Sequence, residues 1–365
     1  LLCTVTVGEG LNSICKAVAN ELNECGVENE ILNVFKDNAK RENYNTKVYY
    51  KIVRTFPHII LHFQKKFGNY NRNLNRLKKP SLIQKEIDTI APVLIKKCTE
   101  ENYDVIYTPV ASIAITAAIL NQQNKIKTKV FYSIPDFNIP TYIEVCKNKY
   151  DGIITSCQEV FDNFVKYGFD KKKLFNYGIP VNKNFFEHQD KNTLKKQFGF
   201  NDSDFIVLVM YGGAGAANTL SAVKKFCKFA PNVKYIVVNG KNEKQKSLID
   251  KYIEKNSLKN ITNYGSCTNV KELMTISDVA FTKLGAATMC ECYAKNLPIV
   301  SVKQKLYPEY DNLKHLKKHS AAVECKSYKN CAEVILKLKD DKKYFNEIKN
   351  NYNNIFNKDA ANQIA

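Results

Sequence analysis

The run Thr282-Lys-Leu-Gly-Ala-Ala-Thr-Met-Cys-Glu291 carries the clearest chemical pattern in the chain. It follows an apolar stretch, Asp278 to Thr282, that reads as a strand, and it leads into a helix-like segment from Thr288 to Ala294. A glycine followed by small residues lets backbone N–H groups approach an anion closely, and the helix N-terminus adds its partial positive charge. A carboxylate at Glu291, within the first turns of that helix, is well placed to accept a pair of ribose hydroxyls. Together these features suggest a site for a nucleoside diphosphate. An ordinary strand-to-helix turn with a solvated glutamate reads the same ten residues equally well.

Two more glycine-rich turns occupy comparable places. Gly8-Glu9-Gly10-Leu11-Asn12-Ser13 ends the first strand-like run, and Tyr211-Gly-Gly-Ala-Gly-Ala216 follows the strand-like run Phe205 to Met210. Their glycines permit close backbone approach, and Asn12 or Ser13 can cap the helix that follows. Such a loop alone is common to many nucleotide-binding folds. Asp136, in Tyr132-Ser-Ile-Pro-Asp-Phe-Asn-Ile-Pro140, is a further carboxylate at the end of a strand-like run. Its alternative role is structural, bonding the neighbouring loop.

These turns need a scaffold, and the chain alternates strand and helix signals from end to end, as parallel α/β sheets do. Strands are expected at Leu1–Val7, Glu30–Val34, Asp104–Tyr107, Lys129–Ile134, Gly152–Thr155, Phe205–Met210, Lys234–Val238, Asn260–Tyr264, Val279–Thr282 and Ile299–Val302. Helices are expected at Asn12–Cys25, Leu82–Glu100, Ala111–Gln122, Glu159–Tyr167, Thr219–Phe229, Glu243–Lys255, Val270–Ser277, Thr288–Ala294 and Tyr310–Lys318, with one more at Asp340–Phe356. A polar stretch from His188 to Lys196 separates two halves, and 365 residues exceed one typical core, so two domains are expected. Leu1 stands where an initiator methionine would, which suggests that a leading segment is missing and leaves a targeting segment open.

Twelve cysteines are scattered without a C-x-x-C pair, which favours reduced thiols used as small hydrophobes, and no ligand spacing fits a metal. No apolar run reaches the length that spans a bilayer. The formal net charge is +19, and residues 43–85 hold ten Lys/Arg and no Asp or Glu. Tyr49, Ile52, Val53, Phe56, Ile60, Phe63 and Phe67 recur there at helical spacing, interrupted by Pro57. A basic aromatic helix suits an anionic membrane surface, where each Lys or Arg contributes about 1 kcal/mol. A packed helix with a solvated basic face is the competing reading. A nucleic-acid surface is the third, and nucleic acid is not expected as a partner.

Ile261-Thr-Asn-Tyr-Gly265, Asn269-Val-Lys-Glu-Leu-Met274, the Thr282–Glu291 run, Leu297-Pro-Ile-Val-Ser-Val302 and Tyr307-Pro-Glu-Tyr-Asp-Asn312 form one ordered block. This block resembles the donor half of family 28 glycosyltransferases. These include the monogalactosyldiacylglycerol synthases, the processive diacylglycerol glucosyltransferases and, more distantly, the peptidoglycan GlcNAc transferase. Asn176-Tyr-Gly-Ile-Pro-Val181 is similar to the junction that closes the first domain of that family. The resemblance implies the GT-B architecture, two Rossmann-like parallel-sheet domains facing across a cleft. Residues 1–187 would be the acceptor and membrane-facing domain and 197–340 the donor domain, with 341–365 a helix packing back toward the first.

The resemblance further implies inverting transfer of a hexose from a UDP-sugar to diacylglycerol or a related lipid. UDP-sugar would be a co-substrate, with no cofactor and no metal. The enzyme would be cytoplasmic, peripheral on the inner face of the cell membrane. Carried over by position, Tyr264 and Gly265 would border the base, and Gly285, Ala286, Ala287 and Thr288 would hold the phosphates. Glu291 would bind the ribose, Glu309 and Asn312 the sugar hydroxyls, and Gly213 and Gly215 the diphosphate or acceptor. Gly8, Gly10, Leu11 and Asn12 would floor the acceptor cleft. Leu11 stands where the family has a histidine concerned with acceptor positioning or deprotonation, and leucine cannot take a proton. Asp136 is then the first candidate for the general base and Glu9 the second. A weakened or non-catalytic relative that still binds UDP-sugar or membrane is the alternative. Pro308 and Leu284 also depart from the family pattern, which leaves the hexose open.

Overall fold

The computed structural model describes residues 1–5, 9–35, 83–140, 147, 149–211, 219–304 and 308–365. The proposed membrane segment at 43–85 lies almost wholly outside the described residues, as do Gly8, Gly213 and Gly215. The chain divides into two compact units, Leu1–Asn182 with Leu306–Pro308 and Asn357–Ala365, and Lys183–Lys305 with Glu309–Phe356.

The first unit is a six-stranded parallel sheet in the order β2-β1-β3-β4-β5-β6. Its strands are β1 Leu2–Thr4, β2 Ile31–Asn33, β3 Val105–Thr108, β4 Lys129–Ser133, β5 Gly152–Ile154 and β6 Leu174–Phe175. Its helices are α1 Glu9–Glu24, α2 Ile83–Glu100, α3 Ala111–Gln122 and α4 Gln158–Lys166. Helix α3 buries Ile113, Ala114, Ile115, Ala117, Ala118 and Leu120, so it is apolar on nearly every side and sits in the core.

The second unit repeats the plan, with sheet order β12-β11-β10-β7-β8-β9, again parallel throughout. Its strands are β7 Ile206–Met210, β8 Lys234–Val238, β9 Ile261–Tyr264, β10 Val279–Thr282, β11 Ile299–Val302 and β12 Ala322–Cys325. The helices are α5 Lys191–Gln197, α6 Thr219–Phe229, α7 Glu243–Lys255, α8 Val270–Ile276, α9 Ala286–Ala294, α10 Glu309–Lys318, α11 Tyr328–Asp340 and α12 Lys342–Asn350; α13 Ala360–Ile364 closes the chain. Strands β7, β8 and β10 are almost continuous runs of buried Ile, Val, Leu and Phe, as strands covered on both faces must be.

Both sheets reverse their direction of growth once. In the first unit the reversal falls between β1 and β3, in the second between β7 and β10. Loops leaving the carboxyl ends of the two strands at such a point part from each other, which opens the crevice where doubly wound sheets bind ligands.

The second unit is anchored through Asp278. Its Oδ1 meets Lys191 Nζ at 2.7 Å, its Oδ2 accepts the N–H of Ile206 at 2.8 Å, and Lys191 also donates to the Ser277 carbonyl at 2.8 Å. The start of β7, the start of α5 and the entry to β10 are thereby tied together.

Of the C-terminal stretch, residues 342–356 stay with the second unit and only 357–365 belong to the first. The reason is Tyr352, which is fully buried. Its hydroxyl donates to the Leu297 carbonyl at 3.0 Å and accepts the Ile299 N–H at 2.8 Å, and its own carbonyl accepts from Tyr293 at 3.1 Å. Beyond it, Asn357 donates to the Tyr177 carbonyl at 2.9 Å. Gly178, at φ +91, admits this tail, since a Cβ there would stand 3.4 Å from that of Asn357. Among the described residues no helix is long and apolar enough to cross a membrane.

Candidate functional site

At the reversal in the second sheet, Met210 of β7 lies opposite Thr282 of β10. The turn Lys283-Leu284-Gly285 therefore emerges next to the carboxyl end of β7. Helix α9 begins at Ala286, two residues before the expected Thr288, because Gly285 is its N-cap in extended geometry (φ −74°, ψ 140°). The first helical hydrogen bond runs from Met289 N–H to the Gly285 carbonyl at 3.0 Å. The N–H groups of Ala286, Ala287 and Thr288 thus precede the helix's own ladder, at its positive end.

Gly285 is informative for what does not constrain it. Its backbone angles suit any residue, and a Cβ added to it would meet no described residue within 4 Å. Among the described residues neither conformation nor packing calls for glycine here. Gly265 differs, since a Cβ there would press on Lys246 Cδ at 3.3 Å and Glu243 Oε1 at 3.4 Å, so packing against α7 accounts for it.

Glu291 is the one charged residue of α9, half-buried between the buried Cys290 and Cys292. Thr288 lies three residues before it, on the same face of the helix. Glu291 thus lies on the helix that starts at this turn.

Three contacts hold the turn from below and beside. Ser301 Oγ donates to the Thr282 carbonyl at 2.8 Å, and Gln304 Nε2 in turn donates to Ser301 Oγ at 2.8 Å. Asn312 Nδ2 donates to the Leu284 carbonyl at 2.9 Å. Lys283 Nζ meets Glu309 Oε1 at 2.8 Å. Tyr211, just after β7, packs against Phe281 with ring centroids 5.2 Å apart and the rings tilted by 43°, and burial raises its phenol above the ordinary range. Lys283, Ser301 and Gln304 were not among the expected site residues. Lys283 could have been found from its place between strand and N-cap, whereas Ser301 reads in sequence as an ordinary core-strand position.

Two of the expected site residues are engaged in the fold here. Asn312, expected at the sugar hydroxyls, is buried, and its Nδ2 donates to the Leu284 carbonyl, which ties it to the turn. Tyr264 and Gly265 do sit after β9, yet the Tyr264 carbonyl already accepts from Asn239 N–H at 3.0 Å and Asn239 Nδ2 at 2.9 Å, and Gly265's accepts from Gly240 N–H at 3.2 Å. Both lone pairs of the Tyr264 carbonyl are engaged, which removes it as a reader of a base edge.

In the first unit α1 begins at Glu9, three residues before the expected Asn12, so Glu9, Gly10, Leu11 and Asn12 form its first turn rather than a loop. Asn12 is not a cap, and its Oδ1 accepts from Thr4 Oγ1 at 2.7 Å, tying α1 to β1. Leu11 is half-buried and packs against the core. Glu9 is exposed. Asp136 follows β4, half-buried, with its carbonyl accepting from Ser156 Oγ at 2.8 Å. Strand order puts Glu9 and Asp136 at the same edge of one sheet, after β1 and β4 with β3 between them.

No family model matches the chain. Among curated proteins it is similar to the processive diacylglycerol beta-glucosyltransferase of Bacillus cytotoxicus, 22% identical over 384 residues that cover all of this chain and 92% of that protein. The protein of the same name from Bacillus licheniformis is 27% identical over 227 residues, 60% of this chain and 58% of the relative. The chain is a homologue of these processive diacylglycerol beta-glucosyltransferases. The match to the B. licheniformis homologue spans less than two thirds of that protein's length, whereas the B. cytotoxicus homologue aligns over nearly all of its own.

Solved structures agree on the fold. An Anabaena HepE complex with UDP is similar with TM-score 0.54 and 14% identity, covering 75% of this chain and 80% of that one. The S. aureus MnaA–UDP structure has TM-score 0.66 and 11% identity, covering 100% and 93%. A glycosyltransferase from Rickettsia africae has TM-score 0.58 and 13% identity, covering 100% and 95%. Like these structures, the chain has the two-sheet α/β fold of the GT-B class.

Proposed function

We propose that the chain is an inverting glycosyltransferase that moves a hexose from a UDP-sugar to diacylglycerol or a related lipid at an anionic membrane surface. The observation that carries the donor half is Gly285 at the reversal of the sheet, where a Cβ would meet no described residue within 4 Å, followed by a helix N-terminus and the carboxylate of Glu291. There Ala286, Ala287 and Thr288 would direct N–H groups at the diphosphate and Glu291 would accept the ribose hydroxyls. The same N–H groups would stabilise the diphosphate as it leaves. Glu309 would face the hexose. The base would be read by groups after β9 other than the Tyr264 carbonyl. Gly213 and Gly215 remain part of the proposal, on sequence alone.

The acceptor hydroxyl attacks the sugar C1 from the face opposite the diphosphate, and a base takes its proton. Asp136 is proposed for that role ahead of Glu9, because it is half-buried beside a strand end whereas Glu9 is exposed. UDP-sugar is a co-substrate in this scheme, and chain residues rather than a metal meet the leaving charge. Diacylglycerol as acceptor is supported by the names of the homologues, and the membrane surface by the basic segment 43–85. A peripheral place on the cytoplasmic face of the membrane belongs to the same proposal.

The test is incubation with UDP-glucose or UDP-galactose and diacylglycerol in anionic vesicles. Glycolipid formation is expected, and failure with all common UDP-sugars and lipid acceptors would count against the reading. A second reading, a weakened relative that binds UDP-sugar with little turnover, is favoured by Leu11 alone. Leu11→His separates the two, since a rise in turnover would mean that a missing base limits the chain.

A further inference from the structure

The Lys283–Glu309 pair joins residues 26 positions apart at 2.8 Å, with the two side chains 32% and 17% exposed. Lys283 is the first residue of the turn after β10, two positions before the N-cap Gly285. Glu309 opens α10, and Asn312, one helical turn on and on the same face, donates to the Leu284 carbonyl. The first turn of α10 thus grips consecutive residues, 283 and 284, of the turn that presents Gly285. A carboxylate at a helix start is otherwise free to choose among rotamers. Here Oε1 is committed to the ammonium, which restricts the rotamers of the carboxylate.

Resting on the UDP-sugar reading above, we propose that Lys283 is a positioning residue. It aims the Glu309 carboxylate at the donor hexose, so that the pair sets which UDP-sugar is accepted. The diphosphate is held by backbone groups, which the pair does not supply. Loss of Lys283 therefore acts on the sugar and spares the nucleotide, a split that a merely structural lysine would not produce.

The experiment compares the affinities of UDP, UDP-glucose, UDP-galactose and UDP-GlcNAc for the full chain and its variants. Lys283→Met is expected to bind UDP within about two-fold of the parent, while the preferred UDP-hexose weakens on the order of ten-fold and the preference among hexoses flattens. Glu309→Gln should show the same pattern, and the double variant should be no worse than either single one. Lys283→Arg should restore most of the preference. If Lys283→Met does not fold, as judged by its melt, Lys283→Gln and Glu309→Gln carry the comparison. Equal losses for UDP and UDP-hexose would overturn the inference, since Lys283 would then serve the diphosphate or the turn. No loss at all would overturn it too. A parent that binds neither UDP nor any UDP-hexose would instead remove the donor-site reading, and this inference with it.

Discussion

Replacing Gly285 by valine separates a glycine kept for the fold from one kept for a ligand. A Cβ at this position meets no described residue within 4 Å, and φ −74° with ψ 140° lies in the region that β-branched residues favour. Losing the glycine N-cap costs a few tenths of a kcal/mol to about 1 kcal/mol. Reduced freedom in the unfolded chain returns about 0.4–1 kcal/mol. The two nearly cancel, and at roughly 2–4 °C per kcal/mol the melting temperature should move by no more than a few degrees. Binding should respond quite differently. Charge-assisted hydrogen bonds to a diphosphate contribute about 1.5–3 kcal/mol each, and a branched side chain before the helix start blocks more than one of them. UDP affinity should fall on the order of a hundred-fold or more. Thermal melts and calorimetric titration of the same preparation read both quantities. A variant that binds UDP like the parent would refute the reasoning, because this turn would then not be where the phosphates lie. A large loss of stability would refute it as well, by making the glycine structural.

Asp278→Ala should destabilise the protein by about 1–3 kcal/mol, because the buried Ile206 N–H loses its acceptor, and Asp278→Asn should recover part of this in a denaturant titration. The Glu30 carboxylate is held below its ordinary range by hydrogen bonds from Lys97 first and Tyr103 second. A depressed carboxylate adds stability that is present above its unfolded value of about 4.3 and lost as pH falls through the folded value. Glu30→Gln should therefore lower the melting temperature at pH 6 and converge with the parent as pH drops below 4. Curves that stay apart under acid conditions would assign the effect to packing.

Much of the scaffold is legible in the sequence, for physical reasons. Strands β8, β10 and β11 and helices α3, α6 and α7 fall at their expected bounds, since long apolar runs or clean helical periods leave little choice. The misses share a cause. Helix α5, Lys191-Asn-Thr-Leu-Lys-Lys-Gln197, has one apolar residue and reads as linker, although Asp190 caps it through the Thr193 N–H at 2.8 Å. Edge strand β12 keeps Val323 and Glu324 half-exposed and lacks a core strand's continuity, and β6 has only two residues. At the site, the turn and Glu291 are visible because their types and spacing are local. The grip of Asn312 on Leu284, the pair Lys283–Glu309 and the engaged Tyr264 carbonyl are not, because each joins positions far apart along the chain. Helix α1 illustrates a third case, in which glycines suggested a loop and the chain coils into a helix from Glu9 onward.

Calorimetric titration of UDP into the parent and into Glu291→Ala tests the donor site most directly. A saturable heat in the parent, weakened at least ten-fold by the substitution while the melt stays unchanged, is the predicted result. No binding in the parent, or equal binding in both proteins, would contradict the assignment of the turn ending in Glu291 to a nucleotide.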